Sequence, residues 1–291
     1  MDVTQTAEQP EKPEQPETPE EELVLRELTD DGVLVLTLNR PGRHNSWAYD
    51  MEGRYYTLLD EATADPEVRA IVLTGAGGTF CPGMDLAILR RSSSDPTFKR
   101  PQRRPQTTAR TVPKPIIAAI DGACAGIGFV QALMADLRFT TARSKWTPSF
   151  SRRGLSSEDA VSWLLPRLVG AGSAADLLMS SRVVRGDEAV RLGLAQRLLE
   201  PDELLPAALE WATDVARNVS PWAAAQIKQQ LAADQTATLE QARLRSNEIL
   251  VEARKRADYA EGVRSFQERR APQFEGLPKD HPRIDLGENA P

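Results

Sequence analysis

Two stretches of this chain repeat one arrangement: a short apolar run, a glycine-rich turn, and the start of a helix. "AIVLT" (70–74) runs into "GAGGTFCPGMDL", from Gly75 to Leu86, and "PIIAAI" (115–120) runs into "DGACAGIG", from Asp121 to Gly128, with a helical pattern to about Ala135. Runs this short and this apolar read as strands buried on both faces. Glycine accepts positive φ and lets other backbone or a ligand come close. A helix N-terminus offers unpaired N–H groups and a partial positive charge. Two such exits from neighbouring strands can therefore aim donors at one oxygen, the arrangement of an oxyanion hole. Asp85 can equally be an acid that accepts a helix-start N–H. The first turn is not a dinucleotide-binding fingerprint, because Phe80 stands where the third glycine belongs.

Around these devices the chain alternates strands and helices. Residues 1–22 are Pro, Glu and Gln with almost nothing to bury, and are expected to be a disordered tail. "LVLREL" and "VLVLTL" flank "TDDG", which predicts two strands joined by a turn. "NRPGRHNS" (39–46) is a loop whose Asn45 or Ser46 is expected to cap a helix running to about Ala64. Residues 88–114 read as a long, poorly ordered excursion carrying Arg90, Arg91, Lys99, Arg100, Arg103, Arg104, Arg110 and Lys114. "DLRFTTA" is a strand, and helices dominate from Glu158 onward, with one short strand near 195–199. The pattern predicts an α/β core over 23–200 and a helical C-terminal region over 201–291.

Composition narrows the function classes. The formal charge is −6, which disfavours nucleic acid or an anionic membrane as a whole-surface partner. No run approaches the length of a membrane span. The N-terminal residues lack the basic-then-apolar pattern of a secretion signal, and two cysteines, Cys81 and Cys124, read as small buried residues. A cytoplasmic protein with no metal site is expected. With only His44 and His281 present, acid–base work falls to carboxylates.

"IVLTGAGGTFCPGMDL", "KPIIAAIDGACAGIG", "MADLRFTTA", "LPRLVG" and "DYAEGVRSFQERRAPQF" occur in order between about Leu23 and Phe274. Together they resemble the crotonase, or enoyl-CoA hydratase/isomerase, superfamily. The resemblance implies a ββα spiral with a helical C-terminal trimerisation region, in a homotrimer or a dimer of trimers. It implies acyl-CoA thioesters as substrates, no further cofactor, and a thioester enolate held by the backbone N–H groups of Met84 and Ile127, with Gly83 and Gly126 beside them. Ile127 stands where the family often has a third glycine; a backbone donor survives that change.

The same resemblance raises a difficulty. The two glutamates of ordinary hydratases fall on Val130 and Phe150, which cannot move a proton. Glu158, four residues after Gly154, matches an aspartate that serves as base or nucleophile in dienoyl-CoA isomerases and 4-chlorobenzoyl-CoA dehalogenase. It is the first candidate for proton transfer, with Asp159 second. "SSED" also reads as a helix start, with Ser156 or Ser157 as cap and Glu158 a first-turn acid. Arg152 and Arg153 either pair with Glu158, Asp159 or a substrate carboxylate or are ordinary surface charge, the preferred reading. For the CoA rim, the resemblance points to Arg43, His44, Asn45, Ser46, Asp85 and Leu86. Trp146 and Phe150 either line the acyl pocket or pack in the core. The basic 90–114 segment either meets the CoA phosphates or is a solvated loop. The expected activity is enoyl-CoA hydratase, with isomerase as the alternative, and a silent acyl-CoA-binding paralogue as the reading from another class.

Overall fold

The computed structural model describes residues 19–287; most of the expected N-terminal tail, residues 1–18, lies outside them. From there the chain forms a short helix α1 (Glu20–Leu23) and strands β1 (Val24–Leu28) and β2 (Val33–Leu38), then helix α2 (Tyr49–Ala64) and strand β3 (Ala70–Gly75). Helix α3 (Leu86–Ser94), strands β4 (Ile116–Ile120) and β5 (Ala123–Ala125), helix α4 (Ile127–Met134), and strands β6 (Leu137–Thr141) and β7 (Lys145–Thr147) follow. The remainder is α5 (Val161–Val169), α6 (Ala171–Ser180), β8 (Val184–Arg185), α7 (Gly186–Leu192), β9 (Arg197–Leu199), α8 (Leu204–Asn218), α9 (Pro221–Ala233), α10 (Leu239–Ala253) and α11 (Ala257–Glu268).

The main sheet has the order β1-β2-β3-β4-β6-β9, parallel except for the antiparallel β1–β2 pair. Its central strands are apolar without interruption because both faces are covered. Leu34, Leu36, Ile71, Leu73, Ile116 and Ala118 face the core built with α2 and α4. Their alternates, Val33, Val35, Val72, Ile117 and Ala119, pack on α8 through Ala208, Ala212 and Ala216. That i, i+4 row of small residues lets the helix lie close against the sheet. A second sheet, β5-β7-β8, sits beyond the ends of β3 and β4.

Three expectations need correction. Helix α2 starts at Tyr49 with Ala48 as an N-cap that makes no side-chain bond. The predicted caps are occupied elsewhere. Asn45, with φ of 59°, accepts from the Arg40 N–H (2.8 Å) and donates to the carbonyls of Ala76 and Thr79 (2.9 and 2.5 Å), while the Ser46 hydroxyl donates to Asp85 (3.2 Å). The 88–114 segment is also built rather than loose. It holds α3 and a 3₁₀ turn over Gln106–Thr111, and three of its cations anchor it. Arg103 pairs with Glu52, Arg104 with Asp60, and Lys114 donates to the carbonyls of Ala62 and Asp65. Finally, neither Ser156 nor Ser157 caps α5. Its N-cap is Ala160, without a side-chain bond, and no acid lies in its first turn.

Candidate functional site

Parallel pairing of β3 and β4, with Leu73 opposite Ala118, makes both glycine exits leave the sheet at the same end. There the turns join. The Phe80 N–H donates to the Asp121 carbonyl and the Cys81 N–H to the Ala123 carbonyl (both 2.8 Å), and the Ala125 N–H returns to Cys81 (3.0 Å). Cys81 and Cys124 are opposite one another, so Met84 and Ile127 each lie three residues further along paired chains. The approach depends on glycine at two points. At Gly128 an added Cβ would stand 2.2 Å from the Cys81 carbonyl oxygen. Gly83 has φ of +113°, and its Cβ would come within 3.2 Å of the Ala125 carbonyl oxygen.

The geometry around Met84 leaves its amide free. Trp47 donates to the Gly83 carbonyl (2.7 Å) and accepts from the Asp85 N–H (2.9 Å), gripping the chain on either side of Met84. Among the described residues, neither the Met84 N–H nor the Ile127 N–H donates to a protein acceptor. Both residues line one cavity of about 390 Å³. Two free donors at the mouth of a cavity, one of them the first amide of α4, suit an oxygen that gains negative charge.

Two carboxylates line the same cavity, Glu158 and Asp159, carried by the turn before α5. Glu158 is exposed and Asp159 half-buried. Burial pushes the Asp159 carboxyl above the usual carboxylate range, against the pull of Arg103 and with a smaller push from Glu158. Asp159 and Ala160 both take left-handed backbone, φ 50° and 60°, an unusual turn for non-glycine residues that sets the direction of the acid. Phe150 lines the cavity too, while Val130 is fully buried in α4. The positions of the ordinary glutamate pair are thus apolar in space as well as in sequence.

Arg103 ties this cavity to the core. It lines the wall, stacks 5.7 Å from the Tyr49 ring centroid, and donates through Nε and Nη2 to Glu52 (2.8 and 2.5 Å). Glu52 is buried in α2 and also accepts from Trp47 Nε1 (2.7 Å) and Gln106 Nε2 (3.1 Å). Gln106 accepts in turn from Tyr56 (3.0 Å) and Gln131 (2.6 Å). Sequence reasoning missed this network. The available signal was Glu52 itself, an acid in helical register with Tyr55, Tyr56 and Leu59 on a buried face, which demands a cation.

Other sequence-named residues lie apart. Trp146 does not line the cavity: it is fully buried in the small sheet, its Nε1 donating to Thr140 (3.2 Å). Its indole fills the space beside Phe129, so packing claims it. Arg43 and His44 are exposed and Asn45 is buried, all outside the cavity lining. Asp85 caps α3 through the Ala87 N–H (3.0 Å) and pairs with Arg40 (3.1 Å). Burial would raise its carboxyl, but these bonds and that of Ser46 hold it below the usual range. Leu86 is 62% exposed at the start of α3. Gly126 lines the cavity, and Gly83 forms the turn that delivers Met84. Arg153, exposed, lines it as well, whereas Arg152 is held to the Ser180 carbonyl (2.9 Å). Among the described residues, no group of three or more His, Cys, Asp or Glu side chains is placed to hold a metal ion, and no helix is long and apolar enough to cross a membrane.

Comparison with known proteins fits this architecture. Residues 29–278 match the family model for enoyl-CoA hydratase/isomerase. The chain is 32% identical over 256 residues to the 1,2-epoxyphenylacetyl-CoA isomerase of Escherichia coli, covering 85% of this chain and 96% of that protein. It is also 32% identical over 248 residues to an enoyl-CoA hydratase of Alternaria alternata, covering 84% of this chain and 83% of that one. Among solved structures, an enoyl-CoA hydratase from Polaromonas superposes with a TM-score of 0.80 at 28% identity, over 86% of this chain and 99% of that chain. By the family match, these identities over most of the chain, and the shared fold, this protein belongs to the enoyl-CoA hydratase/isomerase family, the crotonase superfamily.

Proposed function

We propose that the protein binds an acyl-CoA thioester with its carbonyl oxygen on the Met84 and Ile127 N–H groups and that the carboxylate turn at 158–159 moves a proton on the acyl chain. Removing a proton from Cα leaves a thioester enolate, whose charge gathers on the carbonyl oxygen, and two unpaired donors lining the cavity suit that charge. Family membership supports acyl-CoA as the substrate class. The CoA phosphates meet the exposed cations of 90–100, of which Arg100 lines the cavity.

The observation that carries the choice of reaction is that both carboxylates of the cavity come from one turn, with Val130 and Phe150 in place of a second acid. A double-bond shift needs one group only. Asp159, ionised, takes a proton from Cα of a 3-enoyl thioester, which sends charge onto the carbonyl oxygen, and returns it to Cγ as the electrons flow back from that oxygen through the dienolate. The product is the conjugated 2-enoyl thioester, and Asp159 ends as it began. The half-buried Asp159 suits this better than the exposed Glu158: burial raises its pKa, which strengthens the carboxylate as a base toward the Cα proton. Hydration is the second reading, favoured by Glu158 standing exposed beside Asp159, where it can orient a water.

The test is to give the enzyme 3-enoyl-CoA and 2-enoyl-CoA separately in H₂¹⁸O. Growth of conjugated-thioester absorbance from the first, with no label uptake from the second, supports isomerisation. An ¹⁸O-labelled 3-hydroxyacyl product supports hydration. Tight acyl-CoA binding with neither product overturns the enzymatic reading in favour of a binding protein.

A further inference from the structure

A second cavity, again of about 390 Å³, lies on the other side of the carboxylate turn. Asp159 lines the first cavity and the next residue, Ala160, lines the second. Helix α4 spans the same gap. Ile127 at its N-terminus lines the first cavity and Met134 at its C-terminus lines the second, and seven residues of helical rise make about 10 Å. The walls of the second cavity include Met134, Trp163 and Leu164, which suit methylene groups.

One cation stands in this apolar space. Arg110, from the 3₁₀ turn over Gln106–Thr111, is half-buried and lines the cavity, yet among the described residues its guanidinium has neither a hydrogen bond nor an ion pair. The acids near it are occupied or out of reach. Asp136 accepts from Lys228 Nζ (2.7 Å) and the Ile116 N–H (2.8 Å). Asp285, which lines the same cavity, accepts from the Gly287 N–H (2.8 Å) and forms no ion pair with Arg110. Burial lowers the guanidinium's pKa, with Asp136 opposing. A partly desolvated, unpaired cation is costly unless a ligand completes it.

We propose that the second cavity receives the far end of the acyl group and that Arg110 pairs with a carboxylate there, so that the preferred substrates are CoA thioesters of medium-length dicarboxylic acids. This rests on the acyl-CoA reading above. The planar guanidinium matches one terminal carboxylate with two parallel bonds, and the apolar walls hold the methylenes between it and the thioester.

Calorimetric titration of the full chain with saturated thioesters, which cannot turn over, tests this. Each dicarboxylic thioester (adipyl-, suberyl- and sebacyl-CoA) is compared with the methyl-ended thioester of the same length. At least one dicarboxylic member is expected to bind about tenfold or more tightly than its methyl-ended partner, as for a charge-assisted pair shielded from water. In Arg110→Met the preference disappears while methyl-ended binding stays within about threefold; Arg110→Lys keeps part of it, since a point charge lacks the fork. Equal binding of the two series by the wild-type protein overturns the inference and leaves the acyl-CoA reading standing. Equal loss of both series in Arg110→Met, with an altered melting temperature, makes Arg110 structural and also overturns it. If no thioester binds, methyl-ended ones included, the acyl-CoA reading itself falls and takes this inference with it.

Discussion

The wall of the first cavity that carries Met84 and Ile127 is made of backbone, and the wall that carries Glu158 and Asp159 is made of side chains. The backbone wall is fixed by parallel strands and by reciprocal bonds between the two glycine exits, such as Cys81 to Ala123 and Ala125 to Cys81. Its chemistry does not depend on which side chain sits at 84 or 127, so isoleucine can stand at position 127 and still present a donor. The carboxylate wall hangs on a turn with two left-handed non-glycine residues, and its chemistry depends wholly on residue identity and burial. Of the two adjacent acids, Glu158 is exposed and Asp159 half-buried. In the proposed reading the site pairs a tolerant electrostatic half with a demanding acid–base half.

The largest expected effect is on the demanding side. Asp159→Asn should lower kcat by about 10²–10⁴-fold, the range for a positioned acid or base, in an assay of conjugated-thioester formation. Glu158→Gln should cost under about tenfold by the same yardstick; a reversal of the two results would move the proton-transfer role to Glu158. On the tolerant side, Gly83→Ala should cost about 10²–10³ in kcat by turning one donor away, because its Cβ meets the Ala125 carbonyl oxygen at 3.2 Å and its φ is +113°. Met84→Ala should change kcat only a few-fold, since the amide remains; a loss matching that of Gly83→Ala would mean that the side chain, not the backbone, carries the function.

Next in size is the anchor between the two walls. Arg103→Met leaves Glu52 buried without its cation, and breaking such a pair costs about 3–5 kcal/mol, readable in denaturant unfolding. Glu52 also keeps the Trp47 and Gln106 donors, so an outcome near the lower figure is expected. The smallest effect is in pH dependence. Folding raises the Asp159 pKa, so the folded state holds that proton longer than the unfolded chain. Stability from this group is present below the unfolded value, about 3.9, and is lost as pH rises through the folded value. Asp159→Asn should therefore melt higher than the wild type at neutral pH, with the gap closing in acid. Activity should show the opposite slope, rising with pH as Asp159 ionises. A wild-type rate flat through that range would separate Asp159 from the chemistry.

Much of this was legible along the chain, and the failures share a cause. The buried strands could be read because β3 and β4 are apolar without a break, a local pattern; their parallel pairing came from the structure. The two similar strand exits could be read in the same way, and it was the resemblance to the crotonase superfamily that named Met84 and Ile127 as the donors they carry. The small sheet could not be read, since β5 and β7 have three residues each and β8 two, too few to show a period. The basic segment was misjudged because its partners are remote: Arg103 finds Glu52 across 51 positions and Arg104 finds Asp60 across 44. For Trp146 the sequence left pocket and core open, and packing against Phe129 placed it in the core.

The amino-acid sequence by itself determined the buried strands and the glycine exits, because these follow from backbone conformations that nearby residues impose. Only the tertiary structure decided which of two neighbouring acids is shielded from water, which arginines are spent inside and which one is left without a partner. Those outcomes depend on desolvation and on distances between residues far apart in the chain, and neither quantity exists until the chain has folded.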